Sequence, residues 1–112
     1  MIRKDFLLQM VERAGPFMKR LLSLRDTKRR EDAQAVLEEA CRSLLNLDAR
    51  MVLALPTESL RGRLGIDPGQ GPARCRVAAD LLAAYADCLE AAGDAAEAAD
   101  CRAKAAELRP TA

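Results

Sequence analysis

Residues 78 to 110 read AADLLAAYADCLEAAGDAAEAADCRAKAAELRP, two alanine-rich runs joined by a single Gly93-Asp94 pair. This stretch limits the fold more than any other. Gly93 supplies a left-handed residue that ends one helix, expected from about Ala73 to Ala92. Asp94 and Glu97 form a start signal for the next, which runs to about Leu108 and is stopped by Pro110. Almost nothing joins the two, so they must fold back as an antiparallel hairpin.

The rest of the chain agrees with helices. Half of the residues are apolar but only 3% are aromatic, with no tryptophan. The core must therefore be filled by Leu, Val, Met and Ala, which suits close helix packing better than a sheet. The expected class is all-α, a small helical bundle in a single domain over residues 1–112. Within it, residues 1–65 hold N-terminal helices and short helical turns, 66–73 form a loop, and 74–110 form the hairpin.

Leu7, Met10, Ala14, Phe17, Leu21 and Leu24 alternate by three and four, and Phe6, Val11, Met18 and Leu22 widen that stripe. The pattern predicts a long helix with more than one apolar side. Gly15-Pro16 falls inside it and predicts a kink or a break, because proline lacks the amide donor and crowds the preceding turn. RDTKRRED (25–32) ends the segment and offers Asp26 and Thr27 as candidate caps. A second helix is expected over Lys28–Asn46, along Ala33, Leu37, Ala40, Leu44 and Leu47, with Val36 and Cys41 beside them. Two short helical turns follow, one capped by Asp48 and stopped before Pro56, the other capped by Thr57 and ending at Gly65.

Several chemistries are excluded. The chain has no histidine, which removes His bases, His-activated nucleophiles and His-containing metal sites. No CxxC spacing occurs, and GIDPGQG (65–71) lacks the lysine of a phosphate-binding loop. No catalytic residues, metal, cofactor or small-molecule substrate are expected. No apolar run approaches a membrane span and nothing marks export, so the expected compartment is the cytoplasm. Cys41, Cys75, Cys88 and Cys101 then read as small apolar residues in reducing surroundings. Cys88 and Cys101 lie on opposite arms of the hairpin, which leaves a disulfide or thiol pair as the other reading.

Residues 79–112 resemble one tetratricopeptide repeat in length, turn position and ending. Leu82 stands at the family's Trp position, Tyr85 and Ala86 at its Leu-Gly pair, and Leu89 at its Tyr. Gly93-Asp94 falls on the turn, Ala98 and Ala105 on the two small positions, and KAAELRP (104–110) on the closing motif. Arg102 departs from the pattern, where an aromatic or large apolar residue is usual. Upstream, Phe17–Leu24 and Ala33, Leu37 and Ala40 have the spacing of a degenerate repeat without its turn glycine. The whole order of segments is also similar to that of small bacterial proteins with a tetratricopeptide-like C-terminal part, a likeness that carries no known activity. The resemblance implies that the first helix of the hairpin lines a groove. Asp80, Ala83, Asp87 and Glu90 share one stripe of that helix and would form its wall. An acidic, small-residue wall suits a basic or helical protein segment rather than a C-terminal carboxylate. A solvated helix face is the alternative.

One repeat leaves a flank open, and such arrays generally need about three units or special caps. The N-terminal helix is the expected cover, within its own chain or across a homodimer, with Leu7, Met10, Val11, Phe17, Met18 and Leu21 as the self-association residues. Residues 1–30 hold nine Lys/Arg against three Asp/Glu, and residues 80–112 hold three against seven, so the two regions should attract. The expected function is a non-enzymatic protein-interaction module. The second reading is binding of nucleic acid or an anionic membrane surface through Arg3, Lys4, Arg13, Lys19, Arg20, Arg25, Lys28, Arg29 and Arg30. A net charge of +1 and the scarcity of stacking aromatics count against it. An enzymatic reading would rest on Cys75 between Arg74 and Arg76 and has no other support.

Overall fold

The computed structural model describes residues 2–65 and 69–109. Six α-helices follow in order: α1 (Ile2–Arg25), α2 (Arg30–Ala40), α3 (Ala49–Ala54), α4 (Thr57–Leu64), α5 (Gly71–Ala91) and α6 (Ala95–Leu108), with a π-helical turn (Cys41–Leu45) continuing α2. No strand occurs among the described residues. The chain is the all-α bundle that its composition implies. Residues 66–68 of the expected loop, and Pro110 as the expected stop of the last helix, lie outside the described residues.

α5 is the axis of the bundle. Val77, Ala78, Ala79, Leu81, Leu82, Tyr85, Ala86 and Leu89 are all within 1% of full burial, on several sides of the helix. Five of the other elements pack around it, α1 and α6 most extensively, then α2, α4 and the π-helical turn, while α3 packs on α2 and the π-helical turn. Alanines at 78, 79 and 86 let neighbouring helices approach from different directions, which a helix of leucines would prevent. The alanine content that marks the sequence is thus the requirement of a central helix.

The α5–α6 turn has the geometry that Gly93-Asp94 predicts. Gly93 has φ +93°, its amide bonds the Glu90 carbonyl at 3.0 Å, and the Asp94 amide bonds the Leu89 carbonyl at 2.8 Å. That pair of bonds is a Schellman ending. Asp94 then caps α6 by accepting the Glu97 amide at 3.2 Å.

Four local expectations need correction. α1 is not broken at Gly15-Pro16 but runs through it as one helix of 24 residues. Pro16 and Glu12 are both exposed, so the Glu12 carbonyl that loses its donor can turn to water. The second helix starts at Arg30 and ends in the π turn, where the Asn46 amide reaches back to the Cys41 carbonyl and Asn46 takes φ +57°. Neither Asp26 nor Thr27 caps α2, whose N-cap is Arg29 without a side-chain bond, and the Thr27 hydroxyl donates instead to the Leu24 carbonyl at 2.7 Å. Neither Asp48 nor Thr57 makes a side-chain cap: Asp48 pairs with Arg42 at 3.3 Å, and Thr57 is already inside α4, after Pro56. Gly65 ends α4 as expected, with φ −96°. Its role is proximity, since a Cβ on buried Gly71 would lie 3.0 Å from the Gly65 Cα.

Candidate functional site

Three groups of residues can carry chemistry or contacts: the carboxylate stripe of α5, the four thiols, and the apolar surface of α1. The stripe is built by the period of α5, which sets Asp80, Ala83, Asp87 and Glu90 on one edge. α6 supplies the counter-charges. Arg102 donates to Asp87 at 2.8 Å and to both Glu90 oxygens at 3.2 Å, and Arg109 donates to Asp80 at 2.8 Å. The hydrogen bonds it donates to Glu90 and Asp87 hold the Arg102 guanidinium above its ordinary pKa. Arg102, the departure from the repeat pattern, therefore has a reason: it ties the two arms of the hairpin together at their solvent edge. The stripe presents three carboxylates against two guanidiniums, a mixed-charge ladder rather than an acidic wall.

The N-terminal basic residues are also used internally. Arg13 donates to the Ser43 carbonyl of the π turn at 2.8 Å, and Arg20 pairs with Glu39 at 3.0 Å. Arg30 pairs with Asp94 at 2.6 Å and with Glu97. The attraction between the basic start and the acidic end of the chain operates within one molecule. From the other direction, the Lys104 ammonium on α6 donates to the carbonyls of Val52, Leu53 and Leu55 at 3.0, 2.7 and 2.7 Å. It closes the C-terminal end of α3, where helix carbonyls otherwise lack donors.

All four cysteines are free and buried. The Cys88 thiol donates to the Leu21 carbonyl at 3.1 Å, which leaves it facing α1 rather than Cys101. Burial pushes the Cys41 thiol up to about 12 and the Cys101 thiol up to about 11, and raises Cys75 and Cys88 as well. For Cys75, Arg61 opposes that rise without cancelling it. A raised pKa is the opposite of what a nucleophilic cysteine needs. No group of His, Cys, Asp or Glu suited to a metal ion occurs among the described residues, and no described helix is long and apolar enough to cross a membrane.

On α1 the structure divides the six residues expected to self-associate. Met10 and Leu21, at 2% and 0% exposure, belong to the chain's own core and cannot serve a second molecule. Leu7, Phe17 and Met18 are half-buried, and Val11 is exposed. The outward face also holds Leu8 and Leu22, 59% and 49% exposed, which the sequence reading did not include among these residues. The signal for them was present as the spacing Leu8, Val11, Gly15, Met18, Leu22, but a stripe this wide does not say which side faces inward.

Comparison with known families, curated proteins and solved structures finds no match to this chain.

Proposed function

We propose that the chain is a non-catalytic protein-interaction module of the reducing cytoplasm, with a hairpin of tetratricopeptide type as its scaffold and the outer face of α1 as its contact surface. The observation that carries this reading is the exposure of Leu8, Val11 and Leu22 on one helix, in a bundle whose other described large apolar side chains are buried or partly buried. An apolar helix face left in water is costly unless a partner covers it for part of the time. The free, buried thiols fit the compartment. The α5 stripe is the weaker candidate, because a basic segment could enter it only by displacing Arg102 or Arg109. Nucleic-acid binding loses support in the same way, since Arg13, Arg20 and Arg30 are engaged inside the molecule.

Site-specific photo-crosslinking in cells tests the proposal. A photoreactive residue in place of Val11 should give protein adducts that the double change L8S/L22S abolishes, and the same group in place of exposed Glu58 should give none. No adduct from position 11 would defeat the reading.

A further inference from the structure

The outer face of α1 is symmetric about its middle to within one residue. Leu8 and Leu22 stand seven residues to either side of Gly15, with Val11 and Met18 between them. At 100° per residue these five positions fall within an arc of about 80° and span about 21 Å along the axis. Their three-and-four alternation is that of a two-helix seam. A Cβ on Gly15 would meet nothing within 4 Å, so no part of the chain covers the midpoint, and another helix could come close there.

The charges follow the same symmetry. Glu12 and Lys19 lie on one shoulder of the seam, three residues before and four after Gly15. Neither has an ion pair or side-chain hydrogen bond among the described residues, in contrast to Arg13 and Arg20 beside them. In an antiparallel pair of helices, like shoulders face each other, and Glu12 of one copy meets Lys19 of the other on both sides of the axis. In a parallel pair that shoulder would instead turn toward the side of Leu7, Ala14 and Leu21, which offers no charge and where Ala14 and Leu21 are buried in the chain's own core. An unrelated partner would not need the two halves of the face to complement each other; a second copy does.

We infer that a second copy of this chain docks on the outer face of α1, antiparallel about Gly15, with Leu8 of each molecule against Leu22 of the other and Glu12 opposite Lys19. This rests on the reading of that face as the contact surface. A seam about 21 Å long and about one helix diameter, ~10 Å, wide covers roughly 200 Å² per partner, well below the roughly 800 Å² of a standard interface. The dimer therefore dissociates on dilution within the micromolar range or above.

Light scattering and sedimentation over a concentration series, with thiol trapping, test it on the whole chain. The expected results are a monomer–dimer equilibrium, a G15C variant that links to itself under mild oxidation, and an L8C variant that links to L22C but not to itself. E12K should weaken the dimer about tenfold, through loss of two exposed pairs and the repulsion that replaces them, and E12K/K19E should restore it. A monomer at up to about 1 mM overturns the inference, as does self-linkage of L8C or a dimer indifferent to both E12K and L22S. If the chain stays monomeric while adducts from position 11 contain a different protein, this inference fails and the interaction-module reading stands. With no adducts of any kind, both fail.

Discussion

Arg30, the first residue of α2, hydrogen-bonds Asp94, the cap of α6, at 2.6 Å across 64 residues of chain. One carboxylate thus starts a helix and anchors the N-terminal half to the hairpin turn. The Glu97 amide that donates to Asp94 holds this carboxyl below its ordinary value, and the Arg30 guanidinium acts in the same sense against partial desolvation. A carboxyl depressed in the folded state stabilises above its unfolded pKa, near 3.9, and that contribution is lost as pH falls through the folded value. D94N should therefore melt below wild type at pH 6, and the gap should close as pH falls below about 4. Thermal melts of both proteins between pH 6 and 2.5 check this; a gap constant with pH would show that the charge of Asp94 is irrelevant.

The approach of Gly71 to Gly65 predicts opposite outcomes for two glycine-to-alanine changes, at Gly71 and at Gly62. At Gly71 the new Cβ would lie 3.0 Å from backbone that cannot rotate away, so G71A should destabilise by about 1–3 kcal/mol. Gly62 sits within α4, exposed, and a Cβ there meets nothing within 4 Å. G62A should stabilise by about 0.5–1 kcal/mol through helix propensity alone. Urea unfolding of the two variants gives the sign directly.

Ala98 is fully buried where α6 meets α5, at one of the small positions read from the repeat pattern. A98L adds three carbons to a tight helix contact and should cost about 1–3 kcal/mol. For a domain of this size each kcal/mol lowers Tm by about 4 °C or more. A98S, which adds little volume, should cost less, and equal losses would point to polarity rather than space.

What the sequence made legible follows from how local each determinant is. The hairpin, its Schellman turn and the Asp94 cap were readable because Gly93, Asp94 and Glu97 are neighbours acting through backbone geometry. The buried face of α1 was not, because Leu8 and Leu21 are equally apolar and only the position of α5 decides which is covered. The acidity of the α5 stripe was read correctly as composition, yet Arg102 and Arg109 reach it from another helix. The π turn had no sequence signal of its own, and its stabilising donor, Arg13, lies 30 residues away.

The thiols provide a probe of the core. At pH 8 about one Cys101 in a thousand is ionised at a pKa of about 11, against about one in ten for an ordinary exposed thiol near 9.0. Cys41, pushed up to about 12, is less ionised still. With the steric protection of burial added, Cys41 and Cys101 should react with a thiol reagent at least about a hundredfold more slowly than in denaturant, and Cys75 and Cys88, also raised by burial, should be slowed in the same direction. Mass spectrometry of native protein at early times checks this residue by residue. Prompt labelling of Cys101 would mean that α6 leaves the hairpin readily.

Lys104 is the one described cation that three backbone carbonyls surround, and burial lowers its ammonium below the ordinary lysine value while Cys101 and Glu107 push the other way. Its position makes α3 depend on α6. K104M keeps the stem and its packing but leaves the carbonyls of Val52, Leu53 and Leu55 without their donor, a loss of about 1–3 kcal/mol. K104R should recover only part of that, because a planar guanidinium cannot direct its donors at three carbonyls converging on one point. Hydrogen exchange separates this from a general loss of stability: the amides of α3 should exchange faster in K104M than global destabilisation accounts for, while those of α5 follow the global change. Uniform acceleration across both helices would show that the ammonium does not hold α3 specifically.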